Sequence, residues 1–188
     1  MIDPDHALYG YLYPLLNGEQ ICSLSAACLA TFHSQFQKLI AGQLTPDEAK
    51  QLVLALLSTL NPNPLQVLPW DARVLQACRY IQKLVPQQIP TVAQVAAHTG
   101  LSESRLMHLF SQQLGISMRR YILWLRIRYA IKLWAAGQSL IDIALEAGFA
   151  DQAHFTRTLR SMVDFAPSML KGKTIFVNDL SLIHISEP

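Results

Sequence analysis

The stretch IALEAGFADQAHFTRTLRS, residues 143–161, gathers small and apolar residues around one glycine, then turns polar and ends with Arg157 and Arg160. A guanidinium is a planar fork of donors, so the chemistry open to the second half is contact with an anion or a base edge. An ordinary helical hairpin with a solvated face would use the same residue types, and the rest of the chain has to separate the two. Bond-making chemistry finds no support elsewhere. His6, His33, His98, His108, His154 and His184 lack metal-ligand spacing. No Ser/His/Asp arrangement, phosphate-cradling glycine loop or dinucleotide fingerprint occurs, and the carboxylate pair Asp47-Glu48 belongs to a helix start. The expectation is therefore no enzyme activity, no cofactor and no metal.

Charge is uneven along the chain. The formal net charge is +2, yet residues 1–70 hold two Lys/Arg against five Asp/Glu, whereas residues 71–173 hold thirteen against six. A basic back half favours a nucleic-acid partner, with a solvated face as the plainer alternative. With 51% hydrophobic and 15% charged residues the 188-residue chain suits a compact globular protein, not a disordered tail. No apolar run is long enough to span a membrane; LVLALLSTL at 52–60 reads as a buried helix face. No basic signal region opens the chain, and the odd set Cys22, Cys28 and Cys78 reads as buried thiols of a reducing cytosol. A cytoplasmic location follows as an expectation.

The elements that would position the polar stretch are helical throughout. In the front part, SAACLATFHSQFQKLIAG (25–42) carries Cys28, Leu29, Phe32, Phe36, Leu39 and Ile40 on one helical face and closes at Gly42. Thr45, Pro46 and Glu48 form a capping box that starts a second helix running to about Leu60. NPNPLQVLPW (61–70) is the natural linker. In the back part Asp71 caps a helix whose inner face holds Val74, Cys78, Ile81 and Val85. The expected division is a helical segment over 1–66, a second domain over 67–173 and a tail over 174–188 that breaks the pattern.

The second domain contains an imperfect internal repeat. TVAQVAAHTGLSESRLMHLF (91–110) and SLIDIALEAGFADQAHFTRTL (139–159) align with one extra residue in the second copy. Each has alanine four residues before glycine (Ala96 and Gly100, Ala144 and Gly148), and an apolar residue straight after it, Leu101 or Phe149. Two helices crossing closely need the small alanine, and a tight turn needs a glycine able to take positive φ. The spacing therefore predicts two helix-turn-helix units with Leu101, Leu106, Phe110, Phe149, Phe155 and Leu159 buried. Between them SMRRYILWLRIRYAIKLWAA (117–136) reads as one helix with an inner stripe of Met118, Ile122, Leu125, Tyr129 and Leu133. Twenty residues span roughly 30 Å, close to the turn of B-DNA, about 34 Å, that separates half-sites.

With these pieces in order, AAHTGLSESRLMHLFSQQLGIS, YILWLRIRYAIKLW and DIALEAGFADQAHFTRTLRSMVDFAPS together resemble the DNA-binding domain of AraC/XylS-type transcription regulators, over about 71–172. The most specific pieces are GFADQAHFTR and Pro167-Ser168. Leu159 and Arg160 stand where the family has a Phe-Lys pair, and a lysine in MLKGK replaces its closing arginine. The resemblance implies a seven-helix domain whose two units each send a second helix into the major groove of duplex DNA. It admits RNA polymerase as a further partner. Family members often carry a ligand-binding β-barrel in front, for which seventy residues are too few; residues 25–60 are expected to serve self-association instead.

On that reading Ser104, Arg105, Met107 and His108 in the first unit, and Gln152, His154, Thr156 and Arg157 in the second, face the bases. Arg157 aligns with His108 across the repeat and is the best candidate for a bidentate guanine contact. Arg119, Arg120 and Arg160 are assigned to phosphates, and Asp151 to capping its helix. The rival function is a helical protein-interaction module in which DNA contact has been lost.

Overall fold

The computed structural model describes Tyr11 and residues 26–63 and 70–163, and the chain divides into two compact units near residue 70. Among the described residues the protein is all-helical, as expected, and no helix is long and apolar enough to cross a membrane.

The first unit contains α1 (Ala26–Ala30), α2 (His33–Ile40) and α3 (Pro46–Leu60). The single helix expected over 25–42 is thus two. A tight turn, with the Phe32 amide bonding the Leu29 carbonyl at 3.0 Å, sinks Phe32 into the interior beside Phe36. Ile40, assigned to the inner face, is 75% exposed. A two-residue break preserves the apolar spacing, so periodicity could not reveal it. The capping box of α3 is formed as expected: the Glu48 amide bonds Thr45 Oγ1 at 3.3 Å, and the Thr45 amide bonds Glu48 Oε2 at 2.7 Å. The linker residues 64–69 lie outside the described residues.

The second unit is built from α4 (Ala72–Leu84), α5 (Val92–Thr99), α6 (Glu103–Leu114), α7 (Met118–Ala135), α8 (Leu140–Glu146) and α9 (Gln152–Val163). A short polar side chain caps each of these helices. Asp71, Thr91, Ser102, Ser117 and Ser139 accept the first-turn amides of α4 to α8, and Asp151 accepts the His154 amide at 2.6 Å at the head of α9. Each such cap is worth about 1 kcal/mol, so the helix starts are encoded locally.

Two cores lie within this unit. Val74, Cys78 and Ile81 of α4 meet Val95, Leu106, Phe110 and Tyr121 in the first; Ile143, Ala144, Phe149, Phe155 and Leu159 meet Ile127 and Ala130 in the second. The helix α7 serves both. It has 18 residues, not twenty, which is roughly 27 Å. The single inner stripe expected for it holds only in part: Met118, Ile122 and Leu125 are buried with Tyr121 in the first core, while Ile127 and Ala130 enter the second and Tyr129 and Leu133 are half-buried. A helix passing between two cores buries different faces along its length, and no one stripe describes it.

Candidate nucleic-acid interface

Both repeats fold as helix, glycine turn, helix. In the first, the Leu101 amide reaches back to the Ala96 carbonyl at 3.1 Å across Gly100, whose φ is +67°; in the second, the Phe149 amide reaches Ala144 at 2.7 Å across Gly148, at φ +77°. These six-to-one bonds are Schellman closures that satisfy the last carbonyls of α5 and α8. Of the six residues expected to be buried, Leu106, Phe110, Phe149, Phe155 and Leu159 are, and Leu101 is half-buried. The caps set the register of the repeat. Ser102 and Asp151 occupy the same place, and the extra residue of the second copy lies in its turn, between Gly148 and Asp151. From the caps onward Leu106 matches Phe155, Leu109 matches Thr158 and Phe110 matches Leu159, all buried.

The opposite face of α6 is polar and open. Ser104, Arg105, Met107 and His108 are all exposed. Arg105 lies in the field of Asp71 and helps lower its carboxyl, although Arg73 does so most strongly. On α9, Gln152, Arg157 and Arg160 are exposed, and Arg157 stands at the register position of His108. His154 and Thr156, expected to face outward, are half-buried instead. The His154 ring packs edge-on against Phe149, 5.5 Å between centroids, and its Nδ1 accepts the Ala150 amide at 3.4 Å. The longer second turn brings this side chain back over itself, which the alignment alone did not show. Arg119 and Arg120 are exposed at the start of α7. Among the described residues no group of three or more His, Cys, Asp or Glu is placed to hold a metal ion.

One arginine of the linker helix behaves otherwise than a surface charge. Arg126 Nε donates to the Ala147 carbonyl at 2.9 Å, its terminal nitrogen donates to the Gly148 carbonyl, and its guanidinium lies 4.2 Å from the centre of the Phe149 ring. Burial lowers its pKa from the ordinary value. Tyr129, one turn further along α7, donates to Glu146 Oε1 at 2.8 Å, a bond that raises the phenol's pKa. Arg126 is one of four arginines between residues 117 and 136, and nothing in its spacing along the sequence marks it apart.

A family model described as a helix-turn-helix domain matches residues 95–172. The arabinose operon regulatory protein of Escherichia coli K12 is 32% identical over 150 residues, 79% of this chain and 49% of that protein. Its Salmonella typhimurium counterpart is 35% identical over 124 residues, 65% of this chain and 43% of that protein. The chain carries an AraC/XylS-type DNA-binding domain. A crystal structure of a transcriptional regulator with an AraC-type DNA-binding domain, from Chromobacterium violaceum, is 26% identical with a TM-score of 0.49, covering 52% of this chain and 87% of that one. The chain spans about half the length, or less, of these curated relatives. They are regulators, not enzymes.

Within this AraC/XylS-type domain, α5–α6 and α8–α9 are the two helix-turn-helix units, α6 and α9 are their second helices, and α7 joins them. The matched segment extends beyond Val163, so Pro167-Ser168 and the lysines of MLKGK lie outside the described residues, as does the 174–188 tail.

Proposed function

We propose that this chain is a sequence-specific transcription regulator that reads duplex DNA by presenting α6 and α9 to two successive stretches of major groove. The observation that carries this reading is the shared register of the two helices: each is capped at the same place, buries the same positions and leaves an exposed polar face. The helix joining them, roughly 27 Å long, is close to the pitch of about 34 Å between half-sites. Arg157 and His108, at equivalent exposed positions, are the principal base readers. Ser104, Arg105 and Gln152 flank them, Met107 offers a thymine methyl its apolar contact, and the half-buried His154 and Thr156 line the edge of the face. Arg119, Arg120 and Arg160 hold phosphates.

Action on a chromosome places the protein in the cytoplasm, with RNA polymerase as a further partner and self-association through residues 25–60. Selection of bound sequences from random duplex DNA tests the reading. The expected outcome is two conserved blocks about 10–10.5 base pairs apart, centre to centre, bound with an affinity that falls steeply with salt. No enrichment, together with weak and salt-indifferent retention on heparin, would favour the protein-interaction module instead.

A further inference from the structure

The two turns of the domain are held in different ways. The first is gripped from α4 by neutral groups: Gln76 Nε2 donates to the His98 carbonyl at 3.2 Å, and the Tyr80 ring stacks on His98 at 3.9 Å. The second is gripped from α7. There a single side chain, Arg126, engages three consecutive residues, taking the carbonyls of Ala147 and Gly148 and the face of Phe149. A cation belongs at this place, because the carbonyls ending a helix carry partial negative charge. The engaged residues lead directly into α9 through Asp151.

We propose that Arg126 is a positioning residue for DNA recognition: it fixes the Ala147–Phe149 turn, and through it α9, at one angle to the linker helix without touching DNA. The proposal rests on the two-groove reading above, since a fixed angle between α6 and α9 matters only if both helices dock at once. The physical reason for arginine is its planar fork. Two carbonyl contacts and a ring contact need donors on separate nitrogens of one flat group, whereas a lysine ammonium is a single tetrahedral centre with no flat face.

The test compares the parent chain, residues 1–188, with Arg126→Ala and Arg126→Lys. Each is titrated, over a range of salt, against the selected duplex and against one with the second block scrambled. Amide residual dipolar couplings of the free proteins report the orientation of α8–α9 relative to α5–α6. Arg126→Ala is expected to bind the intact duplex about tenfold more weakly, the equivalent of one charge-assisted hydrogen bond. It should match the parent on the scrambled duplex, keep the parent's salt slope and give altered couplings between the two units. Arg126→Lys should resemble it, and carries the comparison alone if the alanine variant does not fold. A salt slope about one unit shallower would overturn the proposal, because it marks a phosphate contact. Equal losses on both duplexes, or parent-like couplings and affinity, would overturn it too. Should the parent select no DNA at all, the two-groove reading fails, and the couplings still decide whether Arg126 sets the angle.

Discussion

The side chain of Ile89 lies close against the place a methyl group on Gly148 would take: its Cδ1 lies 3.1 Å, and its Cγ1 3.3 Å, from the position of such a carbon. Ile89 belongs to the loop between α4 and α5, so the segment leading into the first helix-turn-helix unit comes against the turn of the second at this point. Arg126 Nε lies 3.5 Å from the same position. Nothing comparable surrounds Gly100, where an added carbon meets no atom within 4 Å.

This difference separates two glycine substitutions that look alike in the repeat. Both positions have positive φ, so alanine at either costs about 1–2 kcal/mol of backbone strain. At Gly148 the new carbon also crowds Ile89 and Arg126. Gly148→Ala is therefore expected to lower the denaturant midpoint more than Gly100→Ala, and pairing it with Ile89→Ala should recover part of the excess. Equal midpoints for the two single variants would contradict the contact.

The exposed arginines of α9 should fail in different ways. Arg157→Ala is expected to lose about 1–3 kcal/mol at the preferred base and to relax discrimination there, with His108→Ala doing the same in the other block. Arg160→Ala should weaken binding to every sequence and make the salt slope about one unit shallower. Titration of matched and mismatched duplexes at several salt concentrations reads both effects. If Arg157→Ala binds both duplexes as the parent does, α9 is a solvated face.

Asp71 gives the domain a pH-dependent element. Its carboxylate accepts the Arg73 guanidinium, at 2.5 Å and 2.9 Å, and the Arg73 amide, and these bonds hold its pKa at about 2, below the ordinary 3.8. A depressed folded-state pKa means that the unfolded chain takes up the proton first as pH falls. The contribution is complete above 3.8 and is lost as pH falls through about 2. Asp71→Asn keeps a capping oxygen and loses the charge. Its denaturant midpoint should lie below the parent's at neutral pH, and the gap should close across that acid interval. A gap that widens on acidification would refute the assignment.

The front helices lead to a prediction about assembly. α2 buries no residue of its own among those described, and Ile40 at its end is largely exposed. Self-association through 25–60 should make sedimentation of the intact chain concentration-dependent, and deletion of residues 1–66 should abolish this. Strictly monomeric behaviour at high concentration would count against it.

Much of the domain was legible in residue order because its signals are local. A cap such as Asp71 or Asp151 acts within three residues, and a Schellman turn such as Ala96–Leu101 within six. The buried positions of α6 and α9 follow from helical period alone, which is why Leu106, Phe110, Phe155 and Leu159 were identifiable. The break at Phe32 was not, since a turn that keeps the apolar spacing leaves the pattern intact. Nor was the retreat of His154 from the exposed face, which depends on one more residue in the second turn folding back over Phe149.

In the second unit, sequence by itself determined the helices, their starts, the two glycine turns and the exposed polar faces that make Arg157 and His108 candidates. Each of these rests on neighbours along the chain. Tertiary structure alone decided which of the linker arginines faces solvent and which is structural. Arg119, Arg120 and Arg126 are the same residue type on the same helix, yet only the last meets the carbonyls of Ala147 and Gly148, twenty-one and twenty-two positions away. The division of α7 between two cores has the same origin. A helix's period records that a side chain must be buried, but which core receives it depends on what packs against that turn of the helix, and that partner lies elsewhere in the chain.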